Sequence, residues 1–107
     1  MSLDHEQLDV YQVALGVARW AAVQPIPVLR KHLRDQLVRA ADSVVLNVAE
    51  GCGREPGSDA RRNHYRIARG FAAEVAAVLD LVALPGGPER QHELRRIVAM
   101  LTKLSKL

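Results

Sequence analysis

Aromatic side chains are scarce in this chain, at 4% of 107 residues, and cysteine occurs once, as Cys52. A single cysteine excludes an intrachain disulfide and suits a reducing compartment. No apolar run approaches the ~20 residues of a membrane span. The amino-terminal stretch carries Asp4, Glu6 and Asp9 where a signal peptide needs positive charge and an apolar run. A cytoplasmic location, with no membrane partner, is therefore expected. No segment alternates apolar with polar residues as a half-buried strand does. Gly51-Cys52-Gly53-Arg54 lacks the Gly-Lys-Ser/Thr ending of a phosphate-binding loop. No cofactor motif is present.

What remains is 49% apolar, mostly Ala, Val and Leu, which are residues helices accept. The length suits one domain covering 1–107. A chain this small hides only about two-thirds of its unfolded surface by itself, so association would help it. Net charge is +3 but unevenly placed: residues 1–29 sum to −2, residues 30–69 to +4 and the remainder to +1. The basic character belongs to the middle of the chain.

Punctuation marks four helices. The first spans about 8–24 and stops at Pro25 and Pro27. The second spans about 29–50, with Gly51 placed as a left-handed cap. Ser58 and Asp59 offer a cap and a first-turn acid for a third helix, about 58–84. Pro85-Gly86-Gly87-Pro88 breaks the chain before a fourth, about 88–106. Short connections favour antiparallel neighbours, so the expected fold is all-α, an up-down four-helix bundle.

The first helix is apolar over roughly 240° of its circumference, against a stripe of a little over 100° for a surface helix. Val10, Val13, Val17 and Trp20 form the surplus. The third helix carries small residues, Gly70, Ala73 and Ala77 with Ala76, outside its apparent core face of Ile67, Phe71, Val75, Val78 and Val82. Both point to association of copies, and these residues are the candidate oligomer interface.

Leu8-Asp9-Val10-Tyr11-Gln12, Arg39-Ala40-Ala41-Asp42-Ser43, Asn47-Val48-Ala49-Glu50-Gly51-Cys52-Gly53-Arg54 and Tyr65-Arg66-Ile67-Ala68-Arg69-Gly70 with Glu74 together resemble the "four helix bundle protein" family. Its members are encoded by intervening sequences of bacterial large-subunit ribosomal RNA genes. The resemblance covers roughly residues 8–84, and it implies a small antiparallel bundle assembling as a ring-like homopentamer. A distant relative, the accessory protein of diversity-generating retroelements, implies contact with nucleic acid and with a protein partner. Two departures stand out. Phe71 follows Gly70 where the family often has Ser, and Val44-Val45-Leu46 replaces a common Ile-Pro, which should straighten the second helix.

Two polar groups remain. Arg39, Ser43, Asn47 and Glu50 fall within roughly 80° on the second helix. With Glu74 they form a candidate network at a helix–helix or subunit seam, where Glu50 would meet Arg54 or Arg69; the alternative is a solvated face. Arg62, Arg66 and Arg69 fall within roughly 60° on the third helix, flanked by Arg61 and Arg54. This arginine set is the candidate surface for RNA or DNA, since phosphate contacts supply sequence-independent affinity. His64 reads as a core-edge histidine, His5 and His32 as exposed, and Cys52 as an inert loop thiol. Glu89 and His92 match one half of a di-iron pattern that needs two, so no metal site is expected. No nucleophile–base pair is present, so no catalytic residue is named. The expectation is a non-enzymatic oligomeric scaffold that binds nucleic acid; the alternative is a structural protein–protein adaptor.

Overall fold

A computed structural model describes His5 and residues 8–107. Asp4 and Glu6, which bore on the signal-peptide argument, lie outside the described residues. The elements are α1 (Asp9–Ala22), a 3-10 turn (Val28–Arg30), α2 (Lys31–Cys52), α3 (Asp59–Leu81) and α4 (Gly87–Leu104), with no strand among the described residues. Each helix packs on its sequence neighbours, and α1 also packs on α4, while the backbones of the diagonal pairs stay apart. That is the square arrangement of an up-down bundle. Among the described residues no helix is long and apolar enough to cross a membrane.

Local chemistry fixes the ends. Gln24, expected as the last residue of the first helix, instead lies beyond α1 and donates from Nε2 to the Trp20 carbonyl at 3.0 Å. It thereby joins the Val23 amide as a second donor to a carbonyl of the last turn. Ser58 Oγ accepts from the Arg61 amide at 3.1 Å, as an N-cap does, and Asp59 sits in the first turn of α3. Gly86, left-handed at φ 82°, leads into α4, with Pro88 in its first turn.

Gly51 departs from expectation. It is not a left-handed cap but a buried residue inside α2; the described left-handed glycines are Gly57 and Gly86. A Cβ at Gly51 would lie 2.8 Å from Tyr65 Cε1. Only a residue without a side chain lets α3 lay its tyrosine against α2. Cys52 follows it in the helix and is buried, so it is a packed thiol rather than a loop thiol.

The core joins Val10, Ala14 and Val17 of α1 to Leu37, Ala40, Val44 and Val48 of α2. Tyr65, Ala68, Ala72 and Val75 of α3 and Leu94, Ile97 and Leu101 of α4 complete it. The abundance of alanine lets these helices approach closely without large aromatic fillers. It also corrects the reading of α1. Val10 and Val17 are 1% and 2% exposed within their own chain, so neither is available to a second copy. The second partner that the wide apolar arc demands is α4, which covers α1 from the other side. Val13 and Trp20 are half-buried. The Trp20 ring backs onto Gly86 and lies under the Arg90 guanidinium, 5.8 Å from its centroid. By contrast, Gly70, Ala73 and Ala77 are exposed, and Ile67, expected inside, is 38% exposed. The large apolar side chains exposed within helices are Leu46 of α2 and Ile67 and Leu81 of α3, with none on α1.

Candidate nucleic-acid interface

The turn from α2 into α3 gathers the arginines, and their environments differ. Arg61 is spent internally. Its Nη2 donates to the Cys52 carbonyl at 2.7 Å, and its Nε reaches the Gly51 and Arg54 carbonyls at 3.1 and 3.2 Å. Of these, Cys52 O is an orphan acceptor of the last turn of α2, Gly51 O also accepts from the Arg54 amide at 3.1 Å, and Arg54 O belongs to the following turn; a cation here also meets the negative end of the helix dipole. Arg61 is thus a helix cap rather than a free phosphate ligand. One sequence signal could have exposed this: a cation in the first turn of α3 opposes that helix's own dipole, so its gain had to lie elsewhere.

Arg62 is partly committed. Its Nη1 donates to the Gly57 carbonyl at 2.7 Å and to Leu107 O at 3.4 Å, and its Nη2 pairs with Asp59. The hydrogen bond and charge of Arg62, with Arg66 nearby, hold the Asp59 carboxyl below the usual carboxylate range. Arg69 donates to Thr102 Oγ1 at 3.3 Å, which ties α3 to α4. Arg54 and Arg66 are exposed, and among the described residues neither side chain has a hydrogen-bond or ion-pair partner. Lys103 and Lys106 are exposed near the end of α4. At this end of the bundle Arg62 also reaches Leu107 O. Of the five candidate arginines, two are free, two are tethered and one is structural.

The polar stripe of α2 splits in the same way. Ser43 Oγ donates to the Arg39 carbonyl at 2.8 Å, and Asn47 Nδ2 to the Ser43 carbonyl at 2.9 Å, so both return to their own helix. Asn47 Oδ1 lies 3.1 Å from His64 Nδ1, and Glu50 Oε2 lies 3.4 Å from the same nitrogen. The partner of Glu50 is therefore His64, not Arg54 or Arg69, and the seam lies between α2 and α3 of one chain. Glu74 Oε1 accepts from Gln36 Nε2 at 2.9 Å and bridges the same two helices. Arg39 is exposed and belongs to no such network. His5, expected exposed, is half-buried with its ring edge-on to Tyr11 at 4.7 Å between centroids. Burial raises the Tyr65 hydroxyl above its ordinary range, and the adjacent Cys52 adds to the effect. Among the described residues no group of three His, Cys, Asp or Glu could hold a metal ion.

The profile of the 23S rRNA-intervening sequence protein family matches residues 6–107. The chain belongs to that family. The match extends the resemblance beyond residue 84 to include α4, whose Thr102 holds Arg69. No curated protein matches the chain.

Proposed function

We propose that this member of the 23S rRNA-intervening sequence protein family is a non-enzymatic, homo-oligomeric scaffold that binds RNA or DNA through the α2–α3 end of its bundle. The observation that carries the reading is the pair of exposed, unpaired guanidiniums at Arg54 and Arg66. A free guanidinium in water gains most from a phosphate, whereas one already holding carbonyls, like Arg61, gains little. Arg62 reinforces the site at the edge. Arg69 lies behind it on α3. Aromatic stacking platforms are nearly absent from the chain, so contact is to the backbone phosphates and carries no sequence preference. Five copies is the number that the family resemblance implies. A ring would multiply two weak contacts into a belt.

The test is gel retardation of a structured RNA and of duplex DNA at low salt, comparing wild type with Arg54→Glu/Arg66→Glu. Loss of retardation with unchanged helicity supports the proposal. Equal retardation by the double variant removes it. If wild type retards neither nucleic acid, the reading as a structural protein–protein adaptor takes its place.

A further inference from the structure

The three most exposed large apolar side chains among the described residues are Leu29, Val28 and Val23, at 96%, 86% and 77%. All three fall in the connection from α1 to α2, where Pro25 and Pro27 interrupt the helix and Val28–Arg30 forms the 3-10 turn. Ile26 between them is buried and anchors the connection, while residues 27–32 are exposed without interruption. Residues 23–34 also hold Arg30, Lys31 and Arg34, with His32 among them, and no acid. The first turn of α2 therefore carries cations at the positive end of its own dipole. Lys31 Nζ reaches Asp35 at 2.7 Å, but Arg30 and Arg34 have no hydrogen-bond or ion-pair partner among the described residues. In water this segment bears two costs together: apolar side chains without cover, and charges set against a helix dipole.

We propose that this tip docks on an anionic membrane surface, with Val28 and Leu29 entering the headgroup layer while Arg30, Lys31 and Arg34 meet the lipid anions. One surface relieves both costs, since the headgroup boundary takes the apolar pair and the anionic headgroups take the cations. Nucleic acid would take the cations but leave Val28 and Leu29 in water. An acidic protein surface fits less well. Three aliphatic side chains fall short of the about 800 Å² that each partner of a stable protein interface buries, and the segment has no aromatic anchor. A bilayer needs no shaped pocket to receive a projecting tip. Of the other charges toward this end of the bundle, Arg19 adds to the cations, Arg90 pairs with Glu93, and Asp80 accepts from Gln91 of α4. Glu89 lies in the first turn of α4, diagonal to α2. The absence of a crossing helix excludes a span, not contact with a surface, so the proposal replaces the expectation of no membrane partner. It also leaves the arginine end free: the 22 residues of α2 set the tip roughly 30 Å from Arg54.

The experiment is co-sedimentation of the whole chain with vesicles of phosphatidylcholine alone and of an equimolar mixture of phosphatidylcholine and phosphatidylserine, at low salt. Wild type is compared with Val28→Ser/Leu29→Ser, with Arg30→Gln/Arg34→Gln and with Arg54→Glu/Arg66→Glu, helicity being checked by circular dichroism. Every replaced side chain is exposed; should the serine pair lose helicity, Leu29→Gln replaces it. Wild type is expected to sediment with the mixed vesicles and not with phosphatidylcholine alone. The serine pair is expected to lose that binding. The glutamine pair is expected to weaken it roughly thirtyfold, at about fivefold for each cation near an anionic surface. The Arg54→Glu/Arg66→Glu protein is expected to bind vesicles as wild type does, and the serine pair to retard nucleic acid as wild type does. A wild type that ignores the mixed vesicles overturns the docking and makes an acidic protein surface the occupant to test. Vesicle binding that survives the serine pair, or that is lost with Arg54→Glu/Arg66→Glu, overturns it as well, because the arginine end would then be adsorbing by charge alone. Retardation of nucleic acid by wild type is unaffected by any of these results, so the two proposals fail separately.

Discussion

Replacing Gly51 with alanine tests the approach of α2 to α3 directly. The added Cβ would lie 2.8 Å from Tyr65 Cε1, 3.0 Å from Tyr65 Cδ1 and 3.1 Å from His64 Cβ. Carbon atoms rest about 3.5–4.0 Å apart, so the helices must part locally by roughly 0.7 Å. Neither neighbour gives way easily. Tyr65 is 2% exposed, and His64 Cβ moves only with the α3 backbone. Overpacking of this kind costs about 1–3 kcal/mol. Against it stands the helix preference for alanine over glycine, worth at most about 1 kcal/mol and less in a last turn. The balance is a loss of about 1–2 kcal/mol, and each kcal/mol lowers the midpoint of a domain this size by about 4–8 °C. Gly16 supplies the control. It lies exposed in the interior of α1 with nothing within 4 Å of an added Cβ, so Gly16→Ala gains the propensity term unopposed, about 0.5–1 kcal/mol. Both variants are melted thermally and in urea, followed by far-ultraviolet circular dichroism. A Gly51→Ala protein stabilised as much as Gly16→Ala would refute the packing of Tyr65 against α2.

Arg61→Met removes the side chain that holds the Gly51 and Cys52 carbonyls of α2 and the Arg54 carbonyl of the following turn, and should cost about 1.5–3 kcal/mol in urea unfolding. Its effect on nucleic-acid retardation should be smaller than that of Arg66→Glu, because Arg61 Nε and Nη2 already hold carbonyls. Tyr65 sets an alkaline limit: its folded pKa is raised above 10.0, so the stability it contributes is complete below that value and is lost as pH rises through the folded pKa. Tyr65→Phe should flatten the alkaline limb of a stability-versus-pH curve, and an unchanged limb would show that the hydroxyl is not the group responsible.

The helices were legible because their punctuation is chemical. Pro25 and Pro27 follow the end of α1, Ser58 caps α3, and Pro85-Gly86 separates α3 from an α4 that opens on Gly87-Pro88, each through a local backbone effect. Four features were not legible, for different reasons. A glycine after an apolar run reads the same whether it caps a helix or admits a neighbour's ring, so Gly51 needed Tyr65 in view. The breadth of the apolar arc on α1 signals two partners but not whether the second is α4 or another chain. Arginines in sequence register look equivalent, yet the turn between α2 and α3 directs Arg61 onto carbonyls and leaves Arg66 in solvent. His64 lies 17 residues from Asn47, and nothing in the spacing links them before α2 and α3 are laid side by side.

The most direct measurement on the proposed interface is the salt dependence of RNA affinity for wild type and for Arg54→Gln/Arg66→Gln at matched oligomeric state. Each phosphate contact contributes about −0.7 to the slope of log affinity against log salt for single-stranded RNA, so losing two contacts from one engaged subunit flattens it by roughly 1.4. A flattening of at least that size is the predicted result. Identical slopes for the two proteins, or wild-type affinity indifferent to salt, would contradict a phosphate-binding role for this end of the bundle.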